Sequence, residues 1–227
     1  MSAGRSLPHE SAHIHVQGAA PYIDDLPELA GTLHAALGLS PVAHGQLVSI
    51  DVAGLRALPG VFGILTAKDI PGVNDCGAII HDEPILAEGT VQYLGQPMFA
   101  VLSDNRDTAR RVAARAKDFV QITPLPALLT PEAAHAAQQY VVPPMQLKRG
   151  DAEQALQSAP HRLSQTFHLG GQEQFYLEGQ ISYAIPKENN SLLVHCSTQH
   201  PSEMQHAVAH ALNWHAHQVL VECRRMG

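Results

Sequence analysis

Pro124, Pro126, Pro131, Pro143 and Pro144 fall within some twenty residues that show little strand alternation. Proline has no backbone N–H and a fixed φ, so it breaks helix interiors and is confined to the edges of sheets. Residues 124–146 therefore read as a linker between two folded parts. At 227 residues the chain is long enough for one large or two ordinary domains, each able to bury a core.

Before the linker, residues 1–16 are polar, His-rich and aperiodic, which suits a mobile arm or a contact to a missing partner. Residues 31–39 and 44–51 read as strands, 53–58 as a short helix closed by Pro59-Gly60, and 61–66 as a third apolar, β-branched run. Residues 97–102 predict a strand and 105–117 a helix with Ala109, Val112, Ala113 and Ala116 on one face, followed by a strand at 119–122. That strand-helix-strand unit closes an α/β domain. After the linker, Asp151 suits the cap of a helix running to Ser158, and 161–169 alternates with Leu163, Phe167 and Leu169 on one parity. Residues 180–185 and 192–196 make a hairpin across the turn-forming 186–190. Pro201 fits the first turn of a helix carrying Met204, Val208, Ala211 and Leu212 inward, and 219–223 is a last strand. The fold class expected is α+β. The sheet after the linker is expected to leave Leu192, Val194, Val219 and Val221 without cover.

Charge and cysteine content exclude several function classes. Fourteen Lys and Arg against 21 Asp and Glu give −7, and no basic cluster exceeds the pairs Arg110-Arg111 and Arg224-Arg225. A phosphate-backbone footprint needs more, so no nucleic-acid partner is expected. Cys76, Cys196 and Cys223 lie far apart without Cys-x-x-Cys spacing, which fits a reducing, cytoplasmic compartment. His9, Glu10, His13 and His15 interrupt the region where a signal peptide needs apolar residues, and no run of about 18 apolar residues occurs, so no membrane contact is expected.

The segment Gly170-Gly171-Gln172-Glu173-Gln174-Phe175-Tyr176-Leu177-Glu178 carries the most chemical information. Two glycines let the backbone approach another group closely, and the Gln172 amide can donate to an oxo or hydroxo ligand. From these residues alone, a buried amide satisfying backbone groups is the better reading of Gln172. Glu173 and Glu178, five apart in a non-helical segment, have no defined spacing; solvated or backbone-bonded carboxylates are the commoner case, and they receive no chemistry. His206 and His210 stand four apart on the last predicted helix, but Ala207 occupies the place where a zinc-protease helix has its Glu, so a surface His-rich helix is the better reading. Ser40, Ser49 and Ser197 lack a Gly-x-Ser-x-Gly setting, and no Gly-x-Gly-x-x-Gly follows a strand.

Several segments, taken in order, resemble the molybdenum-binding subunit of the xanthine dehydrogenase and aldehyde oxidase family, the molybdenum hydroxylases. They are Tyr22-Ile23-Asp24-Asp25-Leu26-Pro27, Leu58-Pro59-Gly60-Val61, Ala67-Lys68-Asp69-Ile70-Pro71-Gly72-Val73-Asn74, Val91-Gln92-Tyr93-Leu94-Gly95-Gln96-Pro97, 170–178, Ser197-Thr198-Gln199-His200-Pro201 and Arg225-Met226-Gly227. Gln174 departs from the pattern, standing where many members have His. The resemblance implies an arm over 1–16, a hammerhead α/β domain over 17–123, the linker at 124–146 and the N-terminal portion of a molybdopterin-binding domain over 147–227. It implies oxidative hydroxylation of a purine, hypoxanthine or xanthine, in a cytoplasmic, oligomeric enzyme. Electrons would pass through iron–sulfur clusters and FAD on a partner subunit or other domains to NAD. By its place in the motif, Gln172 would contact an oxygen ligand of molybdenum without binding the metal itself. Arg225-Met226-Gly227 would begin a glycine-rich loop, so the chain is expected to be a fragment that is inactive and binds no cofactor alone. The alternatives are a non-catalytic binding or assembly module, and a subunit of another molybdenum hydroxylase acting on aldehydes or N-heterocycles.

Overall fold

The computed structural model describes residues 3–225. Its elements in order are α1 (Ala12–Val16), β1 (His34–Leu39), β2 (Gly45–Ile50), α2 (Val52–Arg56), β3 (Gly63–Thr66), β4 (Thr90–Val91), β5 (Pro97–Ser103), α3 (Arg106–Ala113), β6 (Val120–Pro124), α4 (Pro131–Ala136), α5 (Ala152–Ser158), β7 (Ser182–Lys187), β8 (Ser191–Cys196), α6 (Pro201–Leu212) and β9 (Val219–Glu222). The strands form three sheets, ordered β1-β5-β3, β4-β2-β6 and β7-β8-β9. All pairs are antiparallel except β8 with β9. The fold is α+β, as the sequence predicts. Within residues 1–16, α1 forms a short helix of little more than one turn. No helix among the described residues is long and apolar enough to cross a membrane.

Residues up to Pro126 form one compact unit with those from Tyr176 onward, and Ala127–Phe175 form a second. In the larger unit, Leu55, Ile64, Val91, Phe99 and Val101 are almost wholly removed from water and belong to one cluster. Burying each such side chain stabilises the fold by about 1.5–3 kcal/mol. Asp51 caps α2 by accepting from the Gly54 N–H at 2.8 Å, and Asn105 caps α3 by accepting from Thr108 N–H at 3.0 Å. The stripe Ala109, Val112, Ala113 and Ala116 is buried as its spacing predicts, although α3 stops at Ala113 and Ala116 lies on a following 3-10 turn. The predicted strand-helix-strand unit is present as β5-α3-β6. Its two strands nevertheless belong to different sheets, because β5 pairs with β1 and β3 while β6 pairs with β2. Opposite Phe99 on β1 is Gly38, where an added Cβ would overlap the Phe99 ring.

One expectation is overturned in the third sheet. Val194 and Val219 are buried at 4% and 1% exposure, with Leu192 and Val221 packed around them, because α6 lays Met204, Val208 and Ala209 across that face. The helix ends on Asn213 in the left-handed region, φ 56°, and the loop at 72–73 completes its cap. Gly72 N–H and Val73 N–H donate to the carbonyls of Ala211 and His210 at 2.9 and 3.1 Å. These are among the carbonyls that a helix end leaves unpaired.

The smaller unit holds α4 and α5, capped by Thr130 and Asp151. Asp151 accepts from Gln154 N–H at 3.0 Å, as the sequence predicts. The alternating stretch 161–169 forms no strand, and Leu163, Phe167 and Leu169 are exposed. Alternation gives a strand a face, but a strand persists only where a neighbour takes up its N–H and C=O groups.

Candidate functional site

Gln172 lies in irregular backbone in the smaller unit, exposed, with no hydrogen bond among the described residues. Gly170 and Gly171 before it face open space, so nothing within the described chain crowds their backbone. The segment then tightens. Phe175 sits at φ 52°, a left-handed conformation that is costly for a bulky side chain, and its N–H donates to Glu173 Oε1 at 3.3 Å. Gln174 is exposed.

The same segment continues into the larger unit, where Glu178 is the one buried charged side chain among the described residues, at 8% exposure. Its Oε1 accepts from the Ile23 N–H at 2.8 Å, a partner 155 residues away. Ile23 belongs to the short 3-10 turn at 23–25, closed by Tyr22 N–H donating to Asp25 Oδ2 at 2.8 Å. Asp24 of this turn is 3.1 Å from the Arg106 guanidinium on α3. A second stitch follows at Leu29, whose N–H donates to the Tyr183 hydroxyl at 2.9 Å. Sequence reasoning named Glu178 without finding its partner, because neither its own neighbours nor those of Ile23 carry any sign of the other.

A cavity of about 390 Å³ opens beside Glu178, lined also by Tyr22, Ile23, His195, Cys196 and Arg225. His195 Nδ1 lies 3.5 Å from Glu222 across the β8/β9 pair, and Arg225 Nε and Nη2 are buried without a partner among the described residues. Burial, with Cys196 and Glu178 close by, pushes the Cys223 thiol up, and the thiol donates to the Thr198 carbonyl at 2.9 Å. Burial and the neighbouring Glu83 and Asp75 likewise raise Cys76. Raised thiols stay protonated and are poor nucleophiles, so neither cysteine suits covalent catalysis. A larger cavity of about 790 Å³ lies between residues 23–35 and 179–186, with Arg106 and Arg110 at its wall.

His206 and His210 are exposed on α6, and His215 and His217 stack with ring centroids 5.5 Å apart. Among the described residues no group of three or more His, Cys, Asp or Glu could hold a metal ion. Met226 and Gly227, which complete the glycine-loop motif read in the sequence, lie outside the described residues.

Residues 17–122 match the family described as aldehyde oxidase and xanthine dehydrogenase, a/b hammerhead domain, and residues 134–227 match the molybdopterin cofactor-binding domain. The xanthine dehydrogenase of Calliphora vicina is 37% identical over 230 residues, covering 99% of this chain. The chain belongs to the aldehyde oxidase and xanthine dehydrogenase family. Within this family, aldehyde oxidase 2 of Cavia porcellus is 35% identical over 226 residues and also covers 99% of the chain. The chain spans 17% of the length of the first of these relatives and 16% of the second. The aldehyde oxidoreductase from Desulfovibrio gigas has the same fold, with a TM-score of 0.80 at 24% identity, over 97% of this chain and 26% of that one. Gln172 and Glu178 both lie in the part matched by the cofactor-binding family, whereas Ile23 lies in the part matched by the hammerhead family.

Proposed function

We propose that the chain is part of the molybdenum-binding subunit of a xanthine dehydrogenase, a cytoplasmic, oligomeric enzyme that oxidatively hydroxylates hypoxanthine and xanthine. Electrons leave through iron–sulfur and flavin centres, on a partner subunit or other domains, to NAD. The observation that carries this reading is the 37% identity to the Calliphora vicina xanthine dehydrogenase across 99% of the chain. Its organisation in this reading is an arm at 1–16, a hammerhead domain at 17–123, a linker at 124–146 and part of the cofactor-binding domain at 147–227.

The residues present fit a molybdenum–pterin group at the Gly-Gly-Gln segment. Gln172 offers an uncommitted amide, and the bare backbone of Gly170 and Gly171 leaves room for a close neighbour. Gln172 would hold the group by donating from its amide nitrogen to an oxygen ligand of the metal. When bound, the group supplies the two-electron oxidation of a substrate carbon. The chain's own part would be orientation, keeping one amide donor aimed at one oxygen, and outer partners of this kind typically matter ~10–100-fold in affinity or activity. One amide does not bury a cofactor, so the 227 residues alone are expected to hold no molybdenum and to turn over no substrate.

In the full-length complex, Gln172→Ala should lower hypoxanthine turnover ~10–100-fold while leaving the thermal midpoint in place. Unchanged turnover at normal molybdenum content would remove Gln172 from the site. The 35% identity to aldehyde oxidase 2 favours a second reading, a hydroxylase of aldehydes or N-heterocycles. A panel of purines, aldehydes and N-heterocycles on the complex decides between the two, since xanthine dehydrogenase requires the purines to have the highest kcat/KM. A full-length protein free of molybdenum and inactive on the whole panel would instead support a non-catalytic module.

A further inference from the structure

A buried carboxylate is costly unless something inside the protein takes the place of water. Glu178 is the only charged side chain of the described residues in that position, and the group it meets is the backbone N–H of Ile23 at 2.8 Å. That N–H opens a 3-10 turn, where the helix itself supplies no acceptor, so the two groups satisfy one another through a charge-assisted bond. The receiving turn is itself fixed on both sides, by Asp25 accepting from Tyr22 N–H and by Asp24 against Arg106 of α3. Glu178 is therefore anchored to a rigid part of the larger unit. It is also the first buried side chain after the segment that begins at Gly170.

We infer that Glu178 is a positioning residue for Gln172. By accepting the Ile23 N–H it fixes the chain at the end of the Gly-Gly-Gln segment. This inference rests on the proposed contact between Gln172 and the molybdenum–pterin group. Gln172 lies only six positions before Glu178 along the chain, with the turn at Phe175 between them, so little chain is left free between the anchor and the amide. Without the anchor, residues 170–177, exposed apart from the half-buried Tyr176, have no fully buried side chain to hold them in register. The Gln172 amide would then spend less time aimed at its acceptor, and turnover falls with no change in the chemistry of the amide.

The test uses the full-length holoenzyme, with turnover expressed per molybdenum and hydrogen exchange followed by mass spectrometry over peptides covering 170–179. Glu178→Ala should lower kcat ~10-fold, the lower end of effects for outer residues at metal sites, and speed exchange across 170–179. Glu178→Gln keeps an acceptor oxygen and should stay close to the wild type in both. Ile23→Pro deletes the donor at a first-turn position that accepts proline, after a Tyr22 already extended at φ −93°, ψ 175°, and should reproduce the loss. In a Gln172→Ala background, Glu178→Ala should cost nothing further, since a residue acting through another is not additive with it. Independent losses in the double variant, wild-type exchange in Glu178→Ala, or Glu178→Gln as damaging as Glu178→Ala would each overturn the inference while leaving Gln172 at the site. Wild-type turnover in Gln172→Ala alone would overturn the underlying reading and the inference with it.

Discussion

Gly38 on β1 gives the sharpest test of how the first sheet packs. It is buried, it pairs with Phe99 on β5, and a Cβ built on it would overlap the Phe99 ring. Phe99 is 0% exposed within a cluster that includes Leu55 and Val101, so the ring has no free space to move into. Overpacking a filled core costs about 1–3 kcal/mol. Against this, alanine restricts the unfolded chain more than glycine and returns about 0.4–1 kcal/mol. The net loss for Gly38→Ala is therefore about 1–2 kcal/mol. For a chain of this size each kcal/mol shifts the thermal midpoint by about 2–4 °C, so calorimetry should show a fall of about 2–8 °C. The decisive comparison is with Phe99→Leu, which removes the ring and leaves room for a methyl group. Gly38→Ala introduced into Phe99→Leu should be neutral or stabilising, a coupling of about 1 kcal/mol or more between the two sites. An equal loss in both backgrounds would refute the close approach as the reason for glycine at position 38.

At Gly72 an added Cβ meets the His210 carbonyl at the end of α6, so Gly72→Ala should displace the 72–73 cap and cost about 2–4 kcal/mol in a urea titration, combining overpacking with weakened hydrogen bonds. Gly170→Ala, facing open space, should stay within about 0.5 kcal/mol of the parent in the same titration, and a loss as large as that at Gly72 would contradict the open surroundings. Limited proteolysis should cut first within 124–146, whose residues are almost all exposed, and first cleavage within 97–122 would contradict the proposed linker. Asp69 accepts from the Thr66 N–H and hydroxyl, both at 2.8 Å, which holds its carboxyl below the usual range. A group with a depressed folded pKa contributes stability above its unfolded value near 3.9, and that contribution is lost as pH falls through the folded pKa. Asp69→Asn should accordingly flatten the stability profile below about pH 4 relative to the parent, and an unaltered profile there would remove the Thr66 bonds from the account.

The sequence by itself determined the elements whose causes are local. Asp151 was read as a helix start because a short side-chain oxygen can reach an amide three residues on, and it does so, as do Asp51 and Asn105. The α3 stripe and the β7/β8 hairpin were legible because side-chain period and turn chemistry act within a few residues. The ordered family motifs identified the Gly170-Gly171-Gln172 segment, although its backbone is irregular.

Only the tertiary structure decided which partners those elements take. Whether β5 and β6 share a sheet, whether 161–169 becomes a strand, and what covers Val194 and Val219 depend on groups far along the chain. The same holds for Glu178, whose burial is tolerable because a turn 155 residues earlier presents the Ile23 N–H to it. Caps and periodicity are settled by steric and hydrogen-bonding preferences within a few residues. Pairing and burial are settled by which distant surfaces can satisfy one another once water is excluded, and short sequence windows carry no record of that choice.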